Sequence, residues 1–192
     1  MSAPLAIAAV AALAGIATFR PSRGQDLRAW WAPSPGSRAL EDEGMVGRFW
    51  GSQGVGVLLT TGRRALLMLR SQDVLDPGVW GVPGGAIRVD SRTGAPEDLY
   101  RAAAKELLEE TEIELSPAYL KRNTLATTVY RPPGSSFRFT TFVVRVPEEL
   151  DVGLNWESSE SAWVDEEGLQ DLHLHHGVVF TLGEAASEVF HG

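Results

Sequence analysis

Ten residues, KELLEETEIE (105–114), carry five glutamates against a single lysine, and no other stretch so narrows what this chain can become. The surrounding segment PEDLYRAAAKELLEETE (96–112) predicts a helix. Pro96 suits the first helical position, Glu97 and Asp98 complement the positive helix N-terminus, and Ala, Leu, Glu and Lys are strong helix formers. Leu99, Ala103 and Leu107 recur four residues apart and form the stripe to be buried. Glu106, Glu109 and Glu110 then share one helix face. Like charges about 5 Å apart repel by roughly 3 kcal/mol per pair at an effective dielectric of about 20. Two readings follow. Either the carboxylates form a solvated face where water and salt screen the repulsion, or they are oxygen ligands for a hard dication, Mg²⁺ or Mn²⁺.

Composition limits the alternatives. Across 192 residues, 44% hydrophobic and 22% charged is ordinary globular usage, which excludes wholesale disorder. A formal net charge of -8 argues against a partner that is duplex nucleic acid. The chain has no cysteine, which excludes a disulfide framework, a thiolate nucleophile and Cys-ligated metal, and fits the reducing conditions of a cytoplasmic protein. The uncharged run 2–19, SAPLAIAAVAALAGIATF, admits three readings: a helix outside the membrane, a membrane anchor that would tether the protein, or a cleaved signal ending near Ala12-Leu13-Ala14. The expected organisation is an apolar N-terminal segment over 1–24, a Pro/Gly/Ser-rich connector over 25–45, and a folded domain over 46–192.

Within that domain GVGVLLT (54–60) and RALLMLR (64–70) predict a β-hairpin about Thr61-Gly62-Arg63. Short strands are expected at 79–82 and near 86–89, then strands at 124–130 and 137–146, a short strand near 162–164, and a helix within 177–190. Strands, helix, strands, helix describes an α/β (α+β) fold with a mixed β-sheet.

Upstream of the acidic helix, GVPGGA puts two glycines where backbone must pass close to a ligand or take a positive φ. Read together, Gly85, Glu97, Lys105, Glu106, Leu107, Glu109, Glu110 and Ile113 resemble the Nudix box, G-x5-E-x7-R-E-U-x-E-E-x-G-U, with the seven-residue spacing from Glu97 to Lys105 intact. The chain departs from it in three places. Eleven residues (86–96) replace five in the first gap, Lys105 stands for Arg, and Glu112 stands for Gly, so the helix must either continue or end on a left-handed non-glycine cap. The resemblance extends over roughly 50–182, through ALLMLRSQDVLDPGVWGVPGG and NWESSESAWVDEEGL.

The resemblance implies an α/β/α sandwich and a metal-dependent hydrolase of a nucleotide-type small-molecule substrate, a nucleoside diphosphate linked to another moiety. It implies that Glu106, Glu109 and Glu110 bind metal with the Gly85 carbonyl, and that Glu97 pairs with Lys105 to orient the helix. It offers Glu157 or Glu160 as a further loop carboxylate, with Glu157 preferred because it lies six residues before Trp163. The general base is left among Glu106, Glu109 and Glu157. Members are commonly homodimers. Lys for Arg and Glu for Gly also motivate a catalytically weak nucleotide-binding module.

Other side chains invite weaker readings. His173, His175 and His176 are expected in a loop and not at a zinc ion, since no ligand spacing accompanies them. Trp50 and Trp80 are expected in packing, with contact to a nucleobase as the alternative. Neither GxSxG nor a Walker A sequence occurs.

Overall fold

A computed structural model describes residues 52–192; the N-terminal segment, the connector and Trp50 lie outside the described residues. The elements in chain order are β1 (Gln53–Thr60), β2 (Arg64–Arg70), β3 (Trp80–Gly81), β4 (Gly84–Ala86), α1 (Leu99–Thr111), α2 (Pro117–Asn123), β5 (Thr124–Tyr130), β6 (Arg138–Arg145), β7 (Ser158–Asp165), a 3₁₀ turn (Gly168–Asp171) and α3 (His176–Phe190). The seven strands make one mixed sheet in which β3, β2, β1, β6 and β5 lie in that order, β4 adds to β1 and β7 to β2. β1 and β6 run parallel over their whole length, from Gln53 opposite Arg138 to Thr60 opposite Arg145.

β1 is buried on both faces, as a central strand with near-continuous apolar residues must be. Val55, Val57 and Leu59 face a core shared with Leu107, Ala103 and Ile113 of the α1 side, and with Leu120 of α2. Leu58 faces a second core built with Val178, Leu182 and Val189 of α3. Helices thus cover both faces of the sheet. The expected hairpin closes at a single pair, Thr60 with Ala65, after which β2 diverges to pair with β7 from Arg64 opposite Asp165 to Arg70 opposite Ser158. Among the described residues no helix is long and apolar enough to cross a membrane.

Helix α1 starts three residues later than Pro96 suggested. Asp98 is its N-cap and accepts from the Arg101 N–H, because a carboxylate that reaches back to an orphan N–H fixes the helix start better than a proline can. Pro96 instead bridges Val89, and the Glu97 N–H donates to the Arg88 carbonyl at 2.8 Å. The lengthened gap is therefore a closed excursion. Asp90 Oδ1 accepts from the N–H groups of Arg92 and Thr93, and the Asp90 N–H bonds the Ala95 carbonyl, so the extra residues turn on themselves and return the chain to α1. At the other end Glu112 caps the helix at φ 57, the left-handed alternative for that position.

Candidate functional site

The site forms where β4 meets α1. Register pairs Gly85 with Val55 and Gly84 with Gly56. A Cβ on Gly84 would overlap the Val55 carbonyl oxygen, and one on Gly85 would overlap the Glu106 carboxylate. Bare backbone at Gly84 lets β4 lie close against β1, and at Gly85 it lets the acidic helix approach the sheet. The Gly84 N–H donates to Glu110 Oε1 at 3.0 Å. Glu110 is only 7% exposed. Burial pushes its carboxyl from an ordinary 4.5 up to about 8; the Gly84 N–H opposes that rise, Glu157 and Glu106 add to it, and Arg70 eases it.

Glu157 reaches the same place from the loop between β6 and β7. The Asn155 side chain accepts from the Glu157 N–H at 2.9 Å, a tight local turn. The Glu157 carbonyl accepts from the Ser71 N–H at 2.8 Å, and Trp163 Nε1 holds the Leu150 carbonyl at 3.1 Å. The Gly153 N–H bonds the Thr111 carbonyl, so the far end of α1 also ties the loop down. Burial raises the Glu157 carboxyl above its usual range, with Glu106 and Glu109 adding and Arg70 opposing.

Of the residues expected from sequence, Glu106, Glu109, Glu110 and Glu157 are thus within electrostatic reach of one another, with Gly85 against Glu106. Glu160 stands apart. It is exposed opposite Leu69, and strand alternation puts it on the α3 face with Val164. Lys105 departs from the expected pairing with Glu97. Its Nζ lies 2.9 Å from Glu106 Oε1 and 3.1 Å from Glu109 Oε2, because a flexible amine one residue and one turn away finds those carboxylates first. Glu97 contributes its backbone to the entry of α1.

Sequence reading missed Arg70. It ends β2 beside Ser158, its Nε donates to the Leu75 carbonyl at 2.8 Å, and its charge acts on both Glu110 and Glu157. Only the β2–β7 pairing would have disclosed it. Trp156, 66% exposed next to Glu157, was also missed. Trp80 packs against the α3 core, and its backbone bonds those of His173 and His175. His175 caps α3, its Nδ1 accepting from the Gly177 N–H at 3.1 Å.

Among the described residues no group of three or more His, Asp or Glu side chains is spaced to hold a metal ion as it stands. The Lys105 ammonium bridges Glu106 and Glu109. The donor set nevertheless fits a hard dication. It is all carboxylate oxygen, burial drives one member toward protonation, and Lys105 marks where positive charge is favoured.

The NUDIX domain model matches residues 52–181. A Mycobacterium tuberculosis protein named "Putative 8-oxo-dGTP diphosphatase 3" is 31% identical over 144 residues, 72% of this chain and 63% of its own length. The chain therefore spans somewhat under two thirds of that curated relative. Among solved structures, the Nudix hydrolase RenU of M. smegmatis is 28% identical, with a TM-score of 0.53 over 73% of this chain and 87% of its own. The MutT protein of Methanosarcina mazei is 22% identical with a TM-score of 0.52 over 71% and 94%, a likeness of fold alone.

Proposed function

The chain belongs to the Nudix family, and from that premise we propose that it is a pyrophosphohydrolase that cleaves the diphosphate linkage of a nucleoside diphosphate joined to a further group. The reading is carried by the meeting of Glu106, Glu109, Glu110 and Glu157, carboxylates from α1 and from a distant loop, at the glycine turn. Glu106, Glu109 and Glu110, with the Gly85 carbonyl, would hold Mg²⁺ or Mn²⁺. When bound, the dication would neutralise the diphosphate, polarise phosphorus and acidify water. Glu157 is proposed as general base: half-buried, with its carboxyl raised toward the working pH, it suits accepting a proton as water attacks phosphorus and the bridging P–O bond breaks. Arg70 would bind a phosphate oxygen through its terminal nitrogens. Glu97 would support the entry to α1.

The test is turnover of a panel comprising ADP-ribose, NADH, dinucleoside polyphosphates, nucleoside triphosphates and their 8-oxo forms, with Mg²⁺ or Mn²⁺ and product analysis. Expected products are a nucleoside monophosphate and a second phosphorylated product or pyrophosphate. One observation favours a second reading, a nucleotide-binding module of weak activity: Lys105 engages Glu106 and Glu109 and not Glu97. Saturable binding of panel members without cleavage above background would select it.

A further inference from the structure

The segment 71–79 between β2 and β3 contains a strained residue with no place in the scheme above. Asp76 has φ 51. It precedes Pro77, and the proline ring pushes the residue before it toward extended φ near about −120°. A non-glycine residue held at positive φ against that preference requires compensating contacts. Two are present. Asp76 Oδ2 lies 3.6 Å from His175 Nε2, long for a hydrogen bond and within electrostatic contact. His175 Nδ1 already accepts from the Gly177 N–H, so in the neutral ring the proton resides on Nε2, facing Asp76. Arg70 and His176 add positive field at the same carboxyl.

The φ of Asp76 sets how the Leu75–Asp76 peptide is rotated relative to the Asp76 side chain. That peptide's carbonyl, Leu75 O, accepts from Arg70 Nε at 2.8 Å. The rest of the loop closes on the same residue: the Arg70 N–H bonds the Val79 carbonyl and the Gly78 N–H bonds the Arg70 carbonyl, both at 3.0 Å. With its side chain beside His175 of the α3 N-terminus, Asp76 presents the Leu75 carbonyl to Arg70 Nε, and the Arg70 charge is felt by Glu110 and Glu157 as well as by Asp76.

We propose that Asp76, held by His175, is a positioning residue that sets the aim of Arg70. The proposal rests on the reading of Arg70 as a phosphate ligand, and the experiment separates the two. The Arg70 Nε–H resonance, identified by its loss in Arg70→Lys, is followed by NMR in the metal-free protein. In Asp76→Gly, which accepts positive φ without strain, its exchange with solvent accelerates by at least about tenfold while thermal stability holds. In Asp76→Asn, which retains an acceptor for His175 and tolerates positive φ, exchange stays slow. With a panel substrate, Asp76→Gly raises KM about tenfold with kcat little changed, and it adds nothing in an Arg70→Lys background. Unaltered exchange in Asp76→Gly, or effects of Asp76→Gly and Arg70→Lys that multiply, overturns the proposal. If the wild type cleaves no panel member, the diphosphate reading falls while the exchange measurement still decides whether Asp76 aims Arg70.

Discussion

Replacing Glu110 by Gln removes one ionisation and keeps both the shape and the oxygen that the Gly84 N–H requires. In the folded chain the Glu110 carboxyl titrates near about 8, against 4.5 ordinarily. Between those values the native state holds a proton that the unfolded chain releases, so this group makes stability fall as pH rises through the window. Pinning a carboxyl in its protonated form roughly two and a half pH units above its ordinary value, at about 1.4 kcal/mol per unit, costs the metal-free fold about 3 kcal/mol at pH 7. The same reckoning gives less than about 1 kcal/mol at pH 5. Glu110→Gln carries no such cost. Urea unfolding in EDTA is expected to find the variant more stable by about 3 kcal/mol at pH 7 and by under about 1 kcal/mol at pH 5. Added Mn²⁺ should stabilise the wild type and do little for the variant, since a neutral amide is a poor replacement for a carboxylate ligand. A gain that is flat with pH, or a loss of stability at pH 7, would refute the electrostatic account.

Three further outcomes test other parts of the site. Gly85→Ala pushes a methyl group into the Glu106 carboxylate; calorimetric titration should show Mn²⁺ affinity down by at least about tenfold. Glu112→Gly releases a left-handed non-glycine cap and should raise unfolding free energy by about 1 kcal/mol in denaturant titrations; an unchanged or lower value would show that the cap carries no net strain. Glu157→Gln should lower kcat by about a hundredfold or more while Glu160→Gln changes it less than about twofold; equal losses would show that loop position and not carboxylate placement matters.

Much of the fold was legible because its signals are local. The stripe of Leu99, Ala103 and Leu107 and the β-rich runs at 54–60 and 64–70 depend on neighbours within a few residues. The divergence of β2 from β1 toward β7 depends on segments some ninety residues apart, which no local pattern reports. α2 and the 3₁₀ turn escaped for the opposite reason: they are short, and only Ser116, which caps α2 by accepting from the Tyr119 N–H, and Pro117 after it announce the first of them. At the site, spacing on a helix was enough to group Glu106, Glu109 and Glu110. Glu157 is preferred over Glu160 in sequence by its distance from Trp163 alone; the bond from the Ser71 N–H that brings it to the site is a tertiary fact that no local pattern reports. Lys105 was assigned a partner by motif, whereas distance along one helix turn decides which carboxylates a flexible amine reaches.

The seat between Glu106 and Glu109 is taken by a cation that cannot leave. A dication arriving there must evict a tethered rival whose local concentration does not change when the surrounding solution is diluted. A dication at the proposed site would then bind with its dissociation constant raised in inverse proportion to the fraction of time the Lys105 ammonium leaves the seat free, and shortening that stem would lower the constant without altering a single oxygen ligand.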